Sequence, residues 1–222
     1  MKNKDLPVDG VKKGGYLKGS CLWGILIFLI LLLVDQVTKM AADIYFNLPG
    51  VPDKITILPD LIFLRISYNR GIAFGVAADA DPALKIAILI GTAVMMVGIA
   101  VLYFKMDNRR TVVRTALVMI VSGGVGNLID RIYYRVWDSA SYMGGVGDGV
   151  RDMVDLNAFG LAVCNFADFF IVLGAVTLIL GFLFFDRDAF FPVGKYKQLA
   201  QEADERDKAK KQAKQQGEQK GE

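Results

Sequence analysis

Seven polar residues beside long apolar runs are the first candidates for chemistry in this sequence: Asp35 and Lys39, then Asn127, Asp130 and Arg131, then Asn165 and Asp168. Charged and amide side chains in membrane-length apolar segments cost free energy unless paired or solvated, so they mark function more often there than in water. The 222 residues contain no histidine. That removes Ser-His-Asp and Cys-His catalysis and the HExxH zinc site, leaving carboxylates, lysine, tyrosine, serine and threonine. Asp35 and Lys39 are four apart with the acid first, a spacing that suits a salt bridge on one helix face. Gly123, Asn127 and Arg131 recur every four residues and form one stripe, on which Gly123 lets a neighbouring helix approach closely. Asn165 and Asp168, three apart, also share a face. Taken singly, Asp35, Lys39, Asp130 and Arg131 read equally well as interfacial charges that snorkel to water. Their convergence with the amides favours a site.

Four apolar stretches must position these groups. Cys21–Val34 is uncharged and continues as a helix through Asp35 and Lys39 to about Ala42. Ile86–Phe104 carries no charge, about Thr111–Ile129 has Arg114 near its start, and Phe169–Phe185 is preceded by Asp168. Crossing a hydrocarbon layer of about 30 Å takes roughly 17–25 helical residues, so all four qualify, two of them only with their polar ends included. The predicted fold is an all-α membrane protein of four transmembrane helices with a small β-rich cradle outside. Residues 1–20 form an N-terminal segment, 21–185 the membrane domain (spans about 21–42, 86–104, 111–130 and 168–185) and 186–222 a charged tail.

Lysine and arginine in short flanks set the orientation. Lys2, Lys4, Lys12, Lys13 and Lys18, the link Lys105–Arg110 with Arg114, and the tail belong on the cytoplasmic side. Both termini are then inside and loops 43–83 and 132–161 outside, which brings the polar ends of the first, third and fourth spans to one outer depth. Cys21 and Cys164 fall near opposite faces and read as packing residues. The apolar run follows Cys21 instead of preceding it, so the first span is a retained helix and not a processing signal. Ile55–Tyr68 is rich in β-branched and aromatic residues and predicts short strands. The second outer loop is rich in Gly and Asp and predicts irregular chain at its centre. The tail from Lys195 is a solvated helix or disordered. With net charge +3 and no aromatics interleaved with a basic surface, nucleic acid is a poor partner.

Four blocks in order, Asp35-Gln-Val-Thr-Lys39, Tyr68-Asn69-Arg-Gly71-Ile-Ala73-Phe74, Gly123-Gly-Val-Gly-Asn127-Leu-Ile-Asp130-Arg131 and Asn165-Phe-Ala167-Asp168, resemble the lipoprotein signal peptidases (signal peptidase II). The resemblance runs from about Cys21 to Phe185. It implies an aspartic endopeptidase of the cytoplasmic membrane that removes signal peptides from prolipoproteins before a diacylglyceryl-modified cysteine, without metal or cofactor. Its second catalytic aspartate lands on Asp168. Its first lies in a Val-x-Asp stretch, here Val150-Arg151-Asp152-Met153-Val154-Asp155, where Asp152 is favoured and Asp155 stays open. By the same resemblance Asp35, Lys39, Asn69, Gly71, Gly123, Asn127, Arg131, Asn165 and Ala167 support the site and the substrate. Arg151 stands where the family has an apolar residue, and the stretch from Tyr133 to Gly149 is longer than usual. The implied partners are lipid-modified prolipoproteins and membrane lipid, with the chain acting as a monomer and blocked by globomycin.

Two carboxyl groups close together in a low-dielectric site share one proton, so that one activates water while the other donates to the scissile carbonyl. Other motifs offer less. Gly145-Val-Gly147-Asp148 matches the Gly-x-Gly-Asp of another intramembrane protease class but lies in a polar loop without that class's Tyr-Asp partner. A transporter or proton channel needs polar groups at mid-depth, and Ile86–Phe104 has none. A membrane adaptor would leave the convergent Asp and Asn residues without a purpose.

Overall fold

The computed structural model describes residues 13–71, 78–106, 110–138, 149–185, 190–191 and 193–219. The charges of Lys2, Lys4 and Lys12, the Ile72–Phe74 part of the second block, most of the link after Lys105, and the Gly145–Asp148 motif lie outside the described residues. The elements run α1 (Lys13–Phe46), β1 (Ile55–Leu58), β2 (Ile62–Asn69), α2 (Pro82–Lys105), α3 (Thr111–Tyr133), β3 (Val150–Asp155), α4 (Phe166–Leu180) and α5 (Lys195–Gln219). A π-helical turn over Gly181–Phe185 prolongs α4.

Among the described residues, four helices are long and apolar enough to cross a bilayer: Cys21–Phe46, Pro82–Lys105, Thr111–Tyr133 and Phe166–Phe185. Each matches an expected span, and their sheet-side ends reach a few residues further than the apolar runs suggest. On α1 the extension has a visible cause: Asp43 lies one turn before Asn47, whose side-chain amide donates to the Asp43 carbonyl at 2.7 Å and carboxylate at 2.9 Å. Asp81 caps α2 by accepting from Leu84 N at 3.0 Å, and Pro82 fills the first helical position, where no amide hydrogen is needed.

Helix α3 is the hub. Of its membrane window 56% is buried inside the protein, against 11% for each of the other three, which turn side chains such as Leu29, Val94, Val97, Val172 and Ile179 outwards. Lipid tails are as apolar as leucine, so packing at short range must hold the bundle together. Glycine supplies that range. A Cβ on Gly123 would run into the Ala167 carbonyl oxygen and the Ile171 side chain, and one on Gly126 would run into the Asp35 carboxyl group. The Gly123 stripe therefore seats α4, and Gly126 seats α1.

The strands form one antiparallel sheet in the order β1-β2-β3, with Ser67 opposite Asp152 and Tyr68 opposite Arg151. The β1–β2 hairpin falls in the predicted strand region and turns through Asp60 at φ 60°, a conformation aspartate tolerates better than most residues. The centre of the second loop, predicted irregular, lies outside the described residues, and towards its end β3 pairs with β2. Beyond β3, Val154 and Cys164 exchange backbone hydrogen bonds of 2.8 and 2.9 Å. This bridge returns the chain so that α4 begins beside the middle of β3. The tail contains the 25-residue helix α5, the helical one of the two forms its composition allowed.

Candidate active site

Asp35 and Lys39 come from α1, both fully buried, with Oδ2 and Nζ 2.9 Å apart. A buried ion pair is tolerable only if its remaining donors and acceptors are satisfied. Lys39 also donates to Asn127 Oδ1 at 2.9 Å and lies 3.7 Å from Asp130. Asp35 accepts from Gln36 Nε2 at 3.0 Å and from the backbone amide of Ala167 at 2.9 Å. That amide belongs to the first turn of α4, where amides have no partner within the helix, so Asp35 anchors α4 while Lys39 anchors α3. Ala167, itself completely buried, leaves room for this approach.

The spacing of Asn165 and Asp168 has a sharper reason than a shared face. Asn165 is the N-cap of α4 and the two residues form a reciprocal capping box. Asp168 N donates to Asn165 Oδ1 at 3.1 Å, and Asn165 N donates to Asp168 Oδ2 at 3.0 Å. The other oxygen, Oδ1, accepts from Asn127 Nδ2 at 2.8 Å. Asp168 thus meets the site with its carboxyl plane fixed.

Asp152, in the middle of β3, is 3% exposed. Asn165 Nδ2 donates to it at 2.6 Å and to Asn127 Oδ1 at 3.1 Å, so one amide touches Asp152 while its backbone holds Asp168. Burial, and then the charge of Asp168, push the Asp152 carboxyl up to about 7, against hydrogen bonds from Asn165 and Asn69 and the charge of Lys39. The three-residue step to Asp155 advances about 10 Å along a strand and reverses the side chain's face. Asp155 accordingly meets Arg65 of β2, 2.7 Å from its Nε. The structure brings Asp152 to Asp168 and sends Asp155 to the sheet.

The rim completes the cluster. Arg131 donates to the Gly71 carbonyl at 3.1 Å and faces the charges of Asp168, Asp152 and Asp130. Gly71 N donates to Asn69 Oδ1 at 2.9 Å, which folds the end of β2 over the acids. Burial and the carboxylates of Asp168, Asp152 and Asp155 push the Cys164 thiol up to about 12, so it is a poor nucleophile. All the residues named from the sequence therefore gather in one place, apart from Asp155.

The sequence does not single out Gln36 or Asp43, and it leaves Asp130, one of the converging polar groups, open between a site and a snorkelling charge. Gln36 donates to Asp35 and to the Gly126 carbonyl at 3.1 Å; an amide inside an apolar run was its signal. Asp130 is fully buried and bonds Arg151, which excludes the snorkelling reading. Asp43 accepts from Tyr68 Oη at 2.5 Å and lies 3.5 Å from Tyr134 Oη, tying the ends of α1, β2 and α3 together across long sequence distances that no spacing reveals.

A family model described as "Signal peptidase (SPase) II" matches residues 27–184. The chain is 32% identical over 171 residues to a lipoprotein signal peptidase of Fusobacterium nucleatum subsp. nucleatum, covering 76% of this chain and 91% of that one. It is 34% identical over 160 residues to one from Pelodictyon phaeoclathratiforme, covering 69% and 86%. Two solved bacterial membrane enzymes share its fold. One has TM-score 0.56 at 22% identity, over 71% of this chain and 85% of the other; the second has 0.55 at 24%, over 72% and 92%.

Proposed function

Since the chain belongs to the signal peptidase II family, we propose that it is an aspartic endopeptidase that removes signal peptides from diacylglyceryl-modified prolipoproteins, with Asp152 and Asp168 as the catalytic pair. The observation that carries this reading is the Asn165 side chain. Its amide touches Asp152 while its backbone amide holds Asp168, so the cap of one helix also sets the spacing of two acids.

The chemistry follows from one proton shared between two carboxyl groups. The charged member takes a proton from water as the water oxygen attacks the scissile carbonyl carbon. The protonated member gives its proton to the carbonyl oxygen. The tetrahedral intermediate then collapses, the C–N bond breaks, and the proton taken from water passes to the leaving amine. The pair titrates as a unit, and its microscopic roles exchange during the cycle. Arg131 and Asn69 hold the strand end that borders the acids, where an extended substrate backbone is accommodated. The lipid on the substrate cysteine stays in the bilayer, at about 0.8 kcal/mol per buried CH₂.

The lysine-rich flanks place both termini in the cytoplasm and the sheet, with the acids, at the outer face of the cytoplasmic membrane. The domain division is 1–20, 21–185 and 186–222, and a single copy contains all the groups the reaction uses. The test is cleavage of a lipidated preprotein by purified variants. Asp152→Asn and Asp168→Asn are each expected to lower turnover at least about 10³-fold, while Asp155→Asn retains it and globomycin competes with substrate. Loss of activity in Asp155→Asn with full activity in Asp152→Asn would overturn the assignment.

A further inference from the structure

We infer that Arg151 is a positioning residue: by neutralising Asp130 it keeps Lys39 committed to Asp35 and Asn127, and so sets the pH range over which the aspartate pair holds one proton. This rests on the catalytic reading of Asp152 and Asp168.

The contacts are specific. Arg151 approaches Asp130 three times: backbone N to Oδ2 at 3.0 Å, Nε to Oδ2 at 3.3 Å and Nη2 to Oδ1 at 2.8 Å. Nη2 also reaches Gln36 Oε1 at 3.3 Å, so one guanidinium joins β3 to α1 and α3. An apolar residue here would keep the backbone hydrogen bond and lose the rest. Asp130, fully buried, would then keep that amide and have no guanidinium, with the ammonium of Lys39 3.7 Å away. Lys39 cannot serve Asp130 more closely without weakening its 2.9 Å contacts to Asp35 and Asn127. Asn127 in turn donates to Asp168 at 2.8 Å. The path from Arg151 to the pair is therefore continuous.

Charge counting gives the sign. The groups around Asp152 are Asp35 and Lys39 from α1, Asp130 and Arg131 from α3, Asp168 from α4, Arg151 on β3 itself and the neutral Cys164 thiol. Arg151 further faces Tyr134 and Asp43, and Asp155 is held by Arg65. In the inner set, four carboxyl groups meet three cations, so the cluster is neutral when it carries one proton, the number the reaction needs. Without Arg151 the same cluster is neutral only with two. The pair then holds its first proton to higher pH, and the form that can act as base is scarcer at low pH.

The experiment is the pH profile of kcat/KM for the full-length enzyme in detergent, cleaving a lipidated preprotein. Arg151→Val and Arg151→Gln are expected to move both limbs upwards by about 0.5–1 pH unit, with a three- to tenfold loss on the acid side, about the factor such a shift implies. Arg151→Lys is expected to restore the wild-type limbs. The double variant Asp130→Asn/Arg151→Gln, which removes one charge of each sign, is expected to return them close to wild type. The Gln variant keeps a donor towards Asp130, so it answers the question if the Val variant fails to fold. Unmoved limbs in Arg151→Gln, or equal shifts in the Gln and Lys variants, would overturn the inference. Retained cleavage in Asp152→Asn would overturn the underlying pair instead, which the limbs alone do not touch.

Discussion

The two ends of the helical bundle bury charge in different ways. At the sheet end, Asp35, Lys39 and Asp130 are fully enclosed, and their partners are side chains and amides from other elements. At the opposite end, among the described residues, Arg114 is the buried cation, and it faces backbone. Its Nη1 donates to the carbonyls of Tyr103 and Met106 at 3.1 and 2.9 Å, and its guanidinium lies 4.1 Å from the Tyr103 ring centroid. Around it Tyr103, Leu117 and Val118 form an apolar cluster. Arg114 satisfies the last carbonyls of α2, a structural task. The sheet end uses comparable polar material to hold Asp152 and Asp168, the proposed catalytic pair, through Asn127 and Asn165. Burial of a charge is thus no sign of catalysis by itself; what it bonds to is.

Substitutions can break this contrast. The largest effect on stability is expected at Lys39→Met, which leaves Asp35 buried without its cation. Removing one partner of a buried pair costs about 3–5 kcal/mol, read as a fall in unfolding temperature in detergent together with loss of cleavage. Arg114→Met is expected to cost less, about 1–3 kcal/mol for its carbonyl contacts, with kcat/KM held within about twofold once folded protein is compared. Cleavage lost in Arg114→Met, in protein of normal stability, would erase the distinction between the ends. Gly126→Ala pushes a methyl group into Asp35 and is expected to cost about 1–3 kcal/mol, more in activity than the same change at Gly91, where nothing crowds the added carbon. Asn165→Ala removes a cap worth about 1 kcal/mol and the link between the acids, so activity falls further than stability alone accounts for.

A smaller, graded effect sharpens the same comparison through pH. Asp152 is pushed up to about 7 from 3.8, so the folded protein binds the proton more tightly than the unfolded chain does. Its contribution to stability is full below pH 4 and declines as pH rises towards 7. Over the upper part of that range kcat/KM is expected to begin its alkaline fall, as the pair loses its single proton. Asp152→Asn should flatten the stability slope, and Arg114→Met should leave it unchanged.

The sequence made the membrane helices legible because an apolar run of the right length has few other uses. Lys39 and Asp35 were legible because four residues bring two side chains together on any helix. Asn165 and Asp168 were half legible: their spacing is right for a shared face, yet the contact is a capping box, which depends on where the helix starts. The choice between Asp152 and Asp155 could not be made by composition, since both lie in one polar stretch. Strand pairing separates the two, through partners such as Ser67 and Phe63 some ninety residues away, setting Asp152 beside Asn165 and Asp155 against Arg65. Arg151 stood out as a departure and Asp130 as one of the converging polar groups, but their contact was not legible because the fold that joins them is not local.

One consequence concerns the order of synthesis. The Val154–Cys164 bridge confines the two acids to a short turn of chain between residues 152 and 168, after the first three helices have been made. A nascent chain that stops at Tyr133 carries the anchors of α1 and α3 but neither acid, and neither Arg151 nor Asn165. On the proposed pairing of Asp152 with Asp168, such a chain is expected to be inert until the final membrane helix arrives, and Asp35 is left awaiting the Ala167 amide.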